Sequence, residues 1–344
     1  MRVAIVYNQP EPESEGVRAA EFGVLAQVRD IEASFRRLGV DSVSHAVTSV
    51  SGLVEFLTRV QPEVVFNCCE SFKGTAALEA GVASVYDLCG IAYTGSSALT
   101  LGISLDKGIA KSLFKAAGVP TPPYVVMRSE PDFQLARELT FPLIVKPLAE
   151  DASIGIDASS VVRDVTGLLA RVRSLWSVFE RPALVEEFID GREITVALLA
   201  DPAGAFDVLP VSEIVFGALL PGAPAIVTYD AKWAPESPDY KATPARCPAD
   251  LEADLAQRIG QVAIAAARAV GLRDYGRVDL RIRAADQAIF VLEVNANPDL
   301  SADAGFMRAA AARGLTFAET VERILACAVV RARTTRLAPS AGQR

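Results

Sequence analysis

Histidine is almost missing from this chain: one, His45, stands among 344 residues. A single imidazole cannot build a His cluster, so histidine-based metal centres and triads drop out, and His45 reads as an ordinary residue near a strand. Cysteine is scarce too. The five present (Cys68, Cys69, Cys89, Cys247, Cys327) are odd in number and lack Cys-x-x-Cys spacing. That argues against a disulfide framework or a zinc site and makes them reduced packing residues. No uninterrupted apolar run reaches membrane-spanning length, and Met1-Arg2-Val3-Ala4-Ile5-Val6-Tyr7 is too short for a signal peptide. It reads as a first strand, so a cytoplasmic protein with no membrane partner is expected. Basic residues are outnumbered, 34 Lys and Arg against 42 Asp and Glu, for a net charge of -8 and a pI near 5.0. That balance argues against nucleic acid as a partner, which would call for a basic stripe, and leaves small anions held by a few local cations.

What is plentiful is apolar surface. At 51% hydrophobic residues the chain can bury a core large enough for two or three domains. Residues 1–103 alternate strand and helix signals (strands at 2–7, 42–47 and 63–68, helices at 17–38, 51–60 and 76–88), which predicts a small parallel α/β domain. A helix over 106–117 stops at Gly118 with Pro120 beyond, and Thr121-Pro122-Pro123 reads as a stiff connection. A compact unit with its own sheet follows over 104–185: strands at 141–146, near 161 and at 183–187, and a helix over 167–176. The third unit, 186–330, has strands at 193–200 and 208–214, a polar loop over 228–248, and a helix over 250–270 whose apolar residues recur at helical spacing. Residues 331–344 are basic and without apolar periodicity, and are expected to form a flexible tail.

The strongest chemical signal is a hairpin. Tyr275-Gly276-Arg277-Val278-Asp279-Leu280 and Phe290-Val291-Leu292-Glu293-Val294-Asn295-Ala296-Asn297-Pro298 both alternate, so Glu293 and Asn295 share a face. With a three-residue loop at 285–287, Asp279 would lie opposite Glu293. Two carboxylates so placed repel unless something positive sits between them, and with an amide oxygen added they suit Mg2+. The competing reading is a charged rim neutralised by Arg277 and Arg281. Two further segments are weaker alone. Lys146 ends an apolar strand before a loop carrying Ser153 and Gly155, and a buried ammonium needs an anionic partner such as phosphate. Leu184-Val185-Glu186-Glu187-Phe188-Ile189 and Glu193 offer apolar walls and acceptors for a purine and its ribose, or simply a solvated strand end.

These residues, in this order, resemble the ATP-grasp superfamily and, within it, the D-alanine-D-alanine ligases. The resemblance runs from about residue 62 to 325 through Tyr93-Thr94-Gly95-Ser96, Leu105-Asp106-Lys107, Ile144-Val145-Lys146-Pro147 and Val185–Glu193. It continues through Tyr229-Asp230-Ala231-Lys232, Gly276–Asp279 and Leu292–Asn295. It implies an ATP-grasp fold, α/β and α+β, with ATP between two antiparallel sheets and an N-terminal parallel α/β (pre-ATP-grasp) domain. It implies that Lys107, Lys146 and Lys232 contact the phosphates and adenine, that Glu186, Glu187, Phe188 and Ile189 line the adenine edge, that Glu193 takes the ribose, and that Leu292 forms the floor. Asp279, Glu293 and Asn295 would hold Mg2+ (or Mn2+), Ser153 would cover phosphate oxygens, and Arg277 would stabilise the oxyanion. The implied chemistry is phosphorylation of a carboxylate followed by attack of an amine, both substrates being small molecules of the amino-acid type. A homodimer through the N-terminal domain is also implied.

The departures fall on the substrates. Asn8-Gln9-Pro10-Glu11-Pro12 replaces a Gly-Gly loop with a glutamate, and Glu70 stands where the ligases have histidine. Ala152-Ser153 replaces Ser-Ser, and Trp233 replaces tyrosine, so both halves of the family's lid hydrogen bond are missing. Around the second substrate, Asp299 stands in place of glycine, Ala304 in place of serine, and Gly305 follows. The expectation is therefore a ligase of altered specificity. The alternatives are an authentic D-alanine-D-alanine ligase of peptidoglycan synthesis and a nucleotide-binding protein without catalysis.

Overall fold

The computed structural model describes residues 1–10, 18–217, 219 and 222–337. Glu11 and Pro12, the expected helix start at Val17, and residues 338–344 lie outside them. The first sheet is built from β1 (Arg2–Asn8), β2 (Asp41–Val47), β3 (Val64–Cys68) and β4 (Ala92–Tyr93), interleaved with α1 (Arg18–Leu38), α2 (Val50–Val60) and α3 (Glu79–Leu88). Its order is β2-β1-β3-β4, all parallel. Val3 to Val6 and Val64 to Phe66 are buried throughout, as continuous apolar runs in a sheet covered on both faces must be.

Helices α4 (Ala98–Leu105) and α5 (Lys107–Ala116) lead out of this unit. Asp106 caps α5 by accepting from the Ile109 amide at 3.0 Å, and Gly118 (φ +70°) ends the helix two residues before Pro120. The second sheet contains β5 (Tyr124–Met127), β6 (Leu143–Pro147), β7 (Val161–Val162) and β8 (Ala183–Glu187), with α6 (Val165–Phe179) packed on it. The order β5-β8-β6-β7 is antiparallel throughout. Neither α4 nor β5 was expected from sequence: α4 lacks polar alternation and β5 is only four residues long.

The third sheet contains β9 (Gly191–Ala200), β10 (Phe206–Val208) and β11 (Ser212–Ile214). Beyond α7 (Tyr229–Trp233) and α8 (Pro238–Ala242), it gains β12 (Ala245–Arg246). After α9 (Ala253–Val270) come β13 (Tyr275–Arg283) and β14 (Ile289–Asn295), then α10 (Gly305–Ala312) and α11 (Phe317–Leu337). Its path is β12-β11-β9-β13-β14, with β10 on β9. Leu255, Ile259, Ala263 and Ala266 of α9 pack against Val278, Leu280 and Val294 in one core shared with the first unit. Gly191 enters β9 at φ +146°, where a Cβ would meet the Ile282 carbonyl oxygen at 2.0 Å, so no side chain fits.

Four expectations need correction. The strand expected over 208–214 is two strands, because Pro210 between them has no N–H for the ladder. The loop at 228–248 contains α7 and α8, capped by the Thr228 and Ser237 hydroxyls. The basic segment from Arg331 is helical to Leu337 rather than a tail from 331, because the Arg331 guanidinium is held by buried Asp274 and by the Tyr93 carbonyl at 2.6 Å. Cys89 is exposed and so does not pack, although all five cysteines are free. His45 lies in β2 and stacks on Phe56 at 4.2 Å.

Candidate active site

Antiparallel pairing puts directly opposed residues on one face, so the register of the third sheet determines what meets. Glu193 lies opposite Arg281, Thr195 opposite Asp279, and Asp279 opposite Glu293, while Arg277 lies opposite Asn295. The expected pairing of Asp279 with Glu293 is therefore present, but by a different route. The Arg283 amide donates to Ala288, which closes the loop one residue off the expected frame. A bulge between Asp279 and Leu280 then absorbs Leu292 as an extra residue and restores the pair. Leu292 is thus the residue set out of the ladder, and its side chain faces the cavity.

That cavity, about 1160 Å³, lies between the second and third sheets and reaches the first unit. Lys146 and Glu186 to Ile189 form one wall. Glu193, Arg277, Asp279, Leu292, Glu293 and Asn295 form the other, with Lys107 between them. Ser153, Lys232 and Trp233 cover it, and Glu70, Asp299, Ala304 and Gly305 close the far end. Each of the residues just named was singled out from sequence, and all line this one space.

Its charges are paired at one end. Arg277 makes two 2.7 Å hydrogen bonds to Asp279, and Lys107 stands 3.5 Å from Glu293. Arg281 donates to Glu193 at 2.6 Å and to the Ile189 carbonyl at 3.0 Å. Of the two arginines weighed as neutralising a charged rim, only Arg277 touches a hairpin acid. Glu186, 1% exposed, pairs with Lys146 at 2.5 Å and with Lys111 at 2.7 Å. Burial alone would raise its pKa, but Lys111 and Lys146 outweigh that and hold the carboxyl down at about 2. Burial likewise opposes ionisation of Glu293, and the surrounding Lys107, Lys146, Arg277 and Lys232 reverse the effect and lower it. Lys232 is depressed by burial and by Arg277.

The other end is different. Burial, then Asp299, pushes Glu70 up to about 8, and its partner is the Gln27 amide at 3.3 Å. Glu79 is also raised by burial and accepts from Asn297 at 2.9 Å. Among the described residues no cation pairs with Glu70, Glu79, Asp299 or Asp303. Above them the Trp233 indole N–H donates to the Ala152 carbonyl at 2.9 Å, so the two covering loops meet through a contact unlike the missing family one. Ala152 and Ser153 both hold positive φ, +57° and +60°, a sparsely populated conformation typical of loops under functional constraint. At Gly155, φ +73°, a Cβ would strike Phe179 and Pro147 at 2.8 Å.

Sequence reasoning missed Lys111, Glu79, Asp151 and Arg281 as site residues. Lys111 was findable four residues after Lys107 on one helix face. Glu79 and Asp151 carry no local pattern and reach the site through tertiary packing.

Two antiparallel sheets closing on a lysine-rich cavity, preceded by a parallel α/β unit, define the ATP-grasp class. The model of the family described as D-ala D-ala ligase C-terminus matches residues 113–326. A D-alanine–D-alanine ligase of Chromohalobacter salexigens is 33% identical over 94% of this chain and 93% of its own. An uncharacterised protein, y4sG, of Sinorhizobium fredii is 36% identical over 80% and 79%. Among solved structures, the D-alanine–D-alanine ligase of Bacillus anthracis complexed with ATP shares the fold at TM-score 0.77 and 20% identity, covering 97% of this chain and 99% of that one. The chain belongs to the D-alanine–D-alanine ligase-like family of ATP-grasp ligases, enzymes that form carbon–nitrogen bonds using ATP and Mg2+. No helix among the described residues is long and apolar enough to cross a membrane.

Proposed function

We propose that this protein joins a carboxylate to an amine through an acyl phosphate, with substrates other than two D-alanines. The observation that carries the reading is the convergence of Lys107, Lys146, Lys232 and Arg277 with Asp279, Glu293 and Asn295 on one cavity. A carboxylate is a poor electrophile until its oxygen attacks the γ-phosphorus and ADP departs. The amine nitrogen then attacks the acyl carbon, phosphate leaves, and the nitrogen loses a proton. Lys107, Lys146 and Lys232 would steady the phosphate oxygens, and Arg277 the oxyanion at the acyl carbon. Glu186, Glu187, Phe188 and Ile189 would take the adenine edge, Glu193 the ribose, and Leu292 the face of the base. Asp279, Glu293 and Asn295 fit Mg2+: two opposed carboxylates and an amide make a hard oxygen set. The metal would supply charge neutralisation at the phosphates. Ser153 and Trp233, on loops joined by the indole contact, would keep water from the acyl phosphate.

The substrate reading rests on Glu70. A carboxyl without a cationic partner favours a first substrate bearing a positive or hydrogen-bond-donating group there, and Asp299, Ala304 and Gly305 would line the second site. The authentic D-alanine–D-alanine ligase remains the second reading, favoured by the 33% identity to a curated enzyme over nearly the whole chain. The units behind this chemistry are taken as 1–105, 106–187 and 188–337, the limits moved from 103, 185 and 330 because α4 runs to Leu105, β8 to Glu187 and α11 to Leu337. We also infer a cytoplasmic enzyme and a homodimer, the latter checked by light scattering. The deciding experiment is Mg2+-dependent phosphate release with D-alanine alone, then with amino acids singly and in pairs, products being identified by mass spectrometry. Release with D-alanine alone, giving the dipeptide, selects the second reading. Turnover only with another pair supports the first.

A further inference from the structure

Helix α5 carries three lysines a turn apart, Lys107, Lys111 and Lys115, and the first two have different surroundings. Lys107 lines the cavity, whereas Lys111 is absent from its lining and 0% exposed. The Lys111 ammonium lies 2.7 Å from Glu186 Oε2 and donates to Thr121 Oγ1 at 2.8 Å. Thr121 Oγ1 in turn donates to the Val291 carbonyl at 2.8 Å, while the Val291 amide donates to the Pro120 carbonyl at 2.8 Å. Val291 immediately precedes Leu292 and Glu293. A continuous path thus runs from β8 of the second sheet through α5 and the 120–121 connection to the bulged part of β14 in the third.

We propose that Lys111 is a positioning residue for the nucleotide: it anchors Glu186 and, through Thr121, sets the spacing of the two sheets that face each other across the cavity. The inference rests on the reading of that cavity as the ATP site. Glu186 divides its two oxygens between Lys111 and Lys146. With Lys111 gone, one carboxylate is left with one ammonium, and Lys146 is drawn wholly onto Glu186 and away from a phosphate. A buried pair broken from one side leaves an uncompensated charge, which is why the effect should be large for a residue that cannot reach the ligand. Lys111→Arg would restore the charge and both donors with a different shape.

The test is ATP affinity, by calorimetric titration with Mg2+, together with KM and kcat for ATP, in wild type, Lys111→Met, Lys111→Arg and Thr121→Val. Absence of ATP binding by the wild type would sink the underlying site reading and leave the positioning role without a ligand. With binding intact in the wild type, Lys111→Met should weaken ATP about tenfold or more while kcat changes less than about threefold. Lys111→Arg should recover most of the loss. Unchanged ATP affinity in Lys111→Met, or a loss that arginine does not repair, would overturn the proposal even if the melting temperature dropped. Should Lys111→Met fail to fold, Thr121→Val decides. It keeps the Glu186 pair and cuts the link to Val291, so wild-type ATP affinity there would refute the spacing role.

Discussion

The two ends of the cavity treat charge in opposite ways. At the end between the sheets four carboxylates have a cation at hydrogen-bond or ion-pair distance: Glu186 has Lys111 and Lys146, Glu193 has Arg281, Asp279 has Arg277 and Glu293 has Lys107, while Glu187 accepts from the Thr140 amide at 2.8 Å. At the end near the first unit, the partners of Glu70, Glu79 and Asp299 among the described residues are amides and a hydroxyl. Compensated charges keep their geometry whether or not a ligand is present, which is what a fixed nucleotide site requires. Uncompensated ones wait for a partner to bring the charge, and so select it.

The comparison can be broken most severely at the paired end. Glu293→Gln removes a proposed metal ligand and the partner of Lys107, and ligation should fall about a hundredfold or more. Wild-type ligation rates in that variant would remove the metal assignment. At the other end, Glu70→Gln should raise KM for the first substrate about tenfold and leave KM for ATP unchanged, as expected for one hydrogen bond to a charged group. Equal effects on both constants would mean the two ends are not separable.

The same residue sharpens the contrast through pH. With its carboxyl raised to about 8, Glu70 is neutral at pH 7 and ionises only as pH rises through that value. A cationic first substrate should therefore bind more tightly with rising pH until the substrate's own cation titrates. In Glu70→Gln the rise should vanish, and a slope that survives would assign the titration elsewhere. At the junction of the two ends, Trp233→Phe deletes the hydrogen bond to Ala152, a contact of ~1 kcal/mol. ATP hydrolysis without amide formation should increase about fivefold relative to ligation, measured as the phosphate-to-product ratio. The smallest effect is expected of Ala304→Ser. Ala304 is the N-cap of α10 and makes no side-chain hydrogen bond, so serine should stabilise the protein by about 1 kcal/mol in chemical denaturation.

Much of the compensated end was legible in the sequence because its residues sit on strands and one helix turn, where period two and period 3.6 place side chains without further information. Glu293 and Asn295 had to share a face, and Lys107 had to follow a cap. Strands β1 to β3 and helices α1 to α3 of the first unit were legible for the same reason, whereas the two-residue β4 was not. The short α4, β5 and β12 were not, since a few residues carry no period. Lys111 shows the limit: its spacing from Lys107 was visible, but its burial against Glu186, 75 positions away by residue number, was not.

By itself, then, the sequence determined the alternation of layers, the faces of the hairpin and the residue types able to handle phosphate and a divalent ion, because these follow from local periodicity and side-chain chemistry. Only the tertiary structure decided that a bulge, not the turn, aligns Asp279 with Glu293, that Trp233 reaches Ala152, that Arg331 extends the last helix onto Asp274, and that Glu70 and Glu79 share one end of the cavity where no cation among the described residues pairs with either. Each of these depends on which distant backbone a side chain meets. That choice is made by the packing of three sheets together, a global minimum that no window of sequence contains.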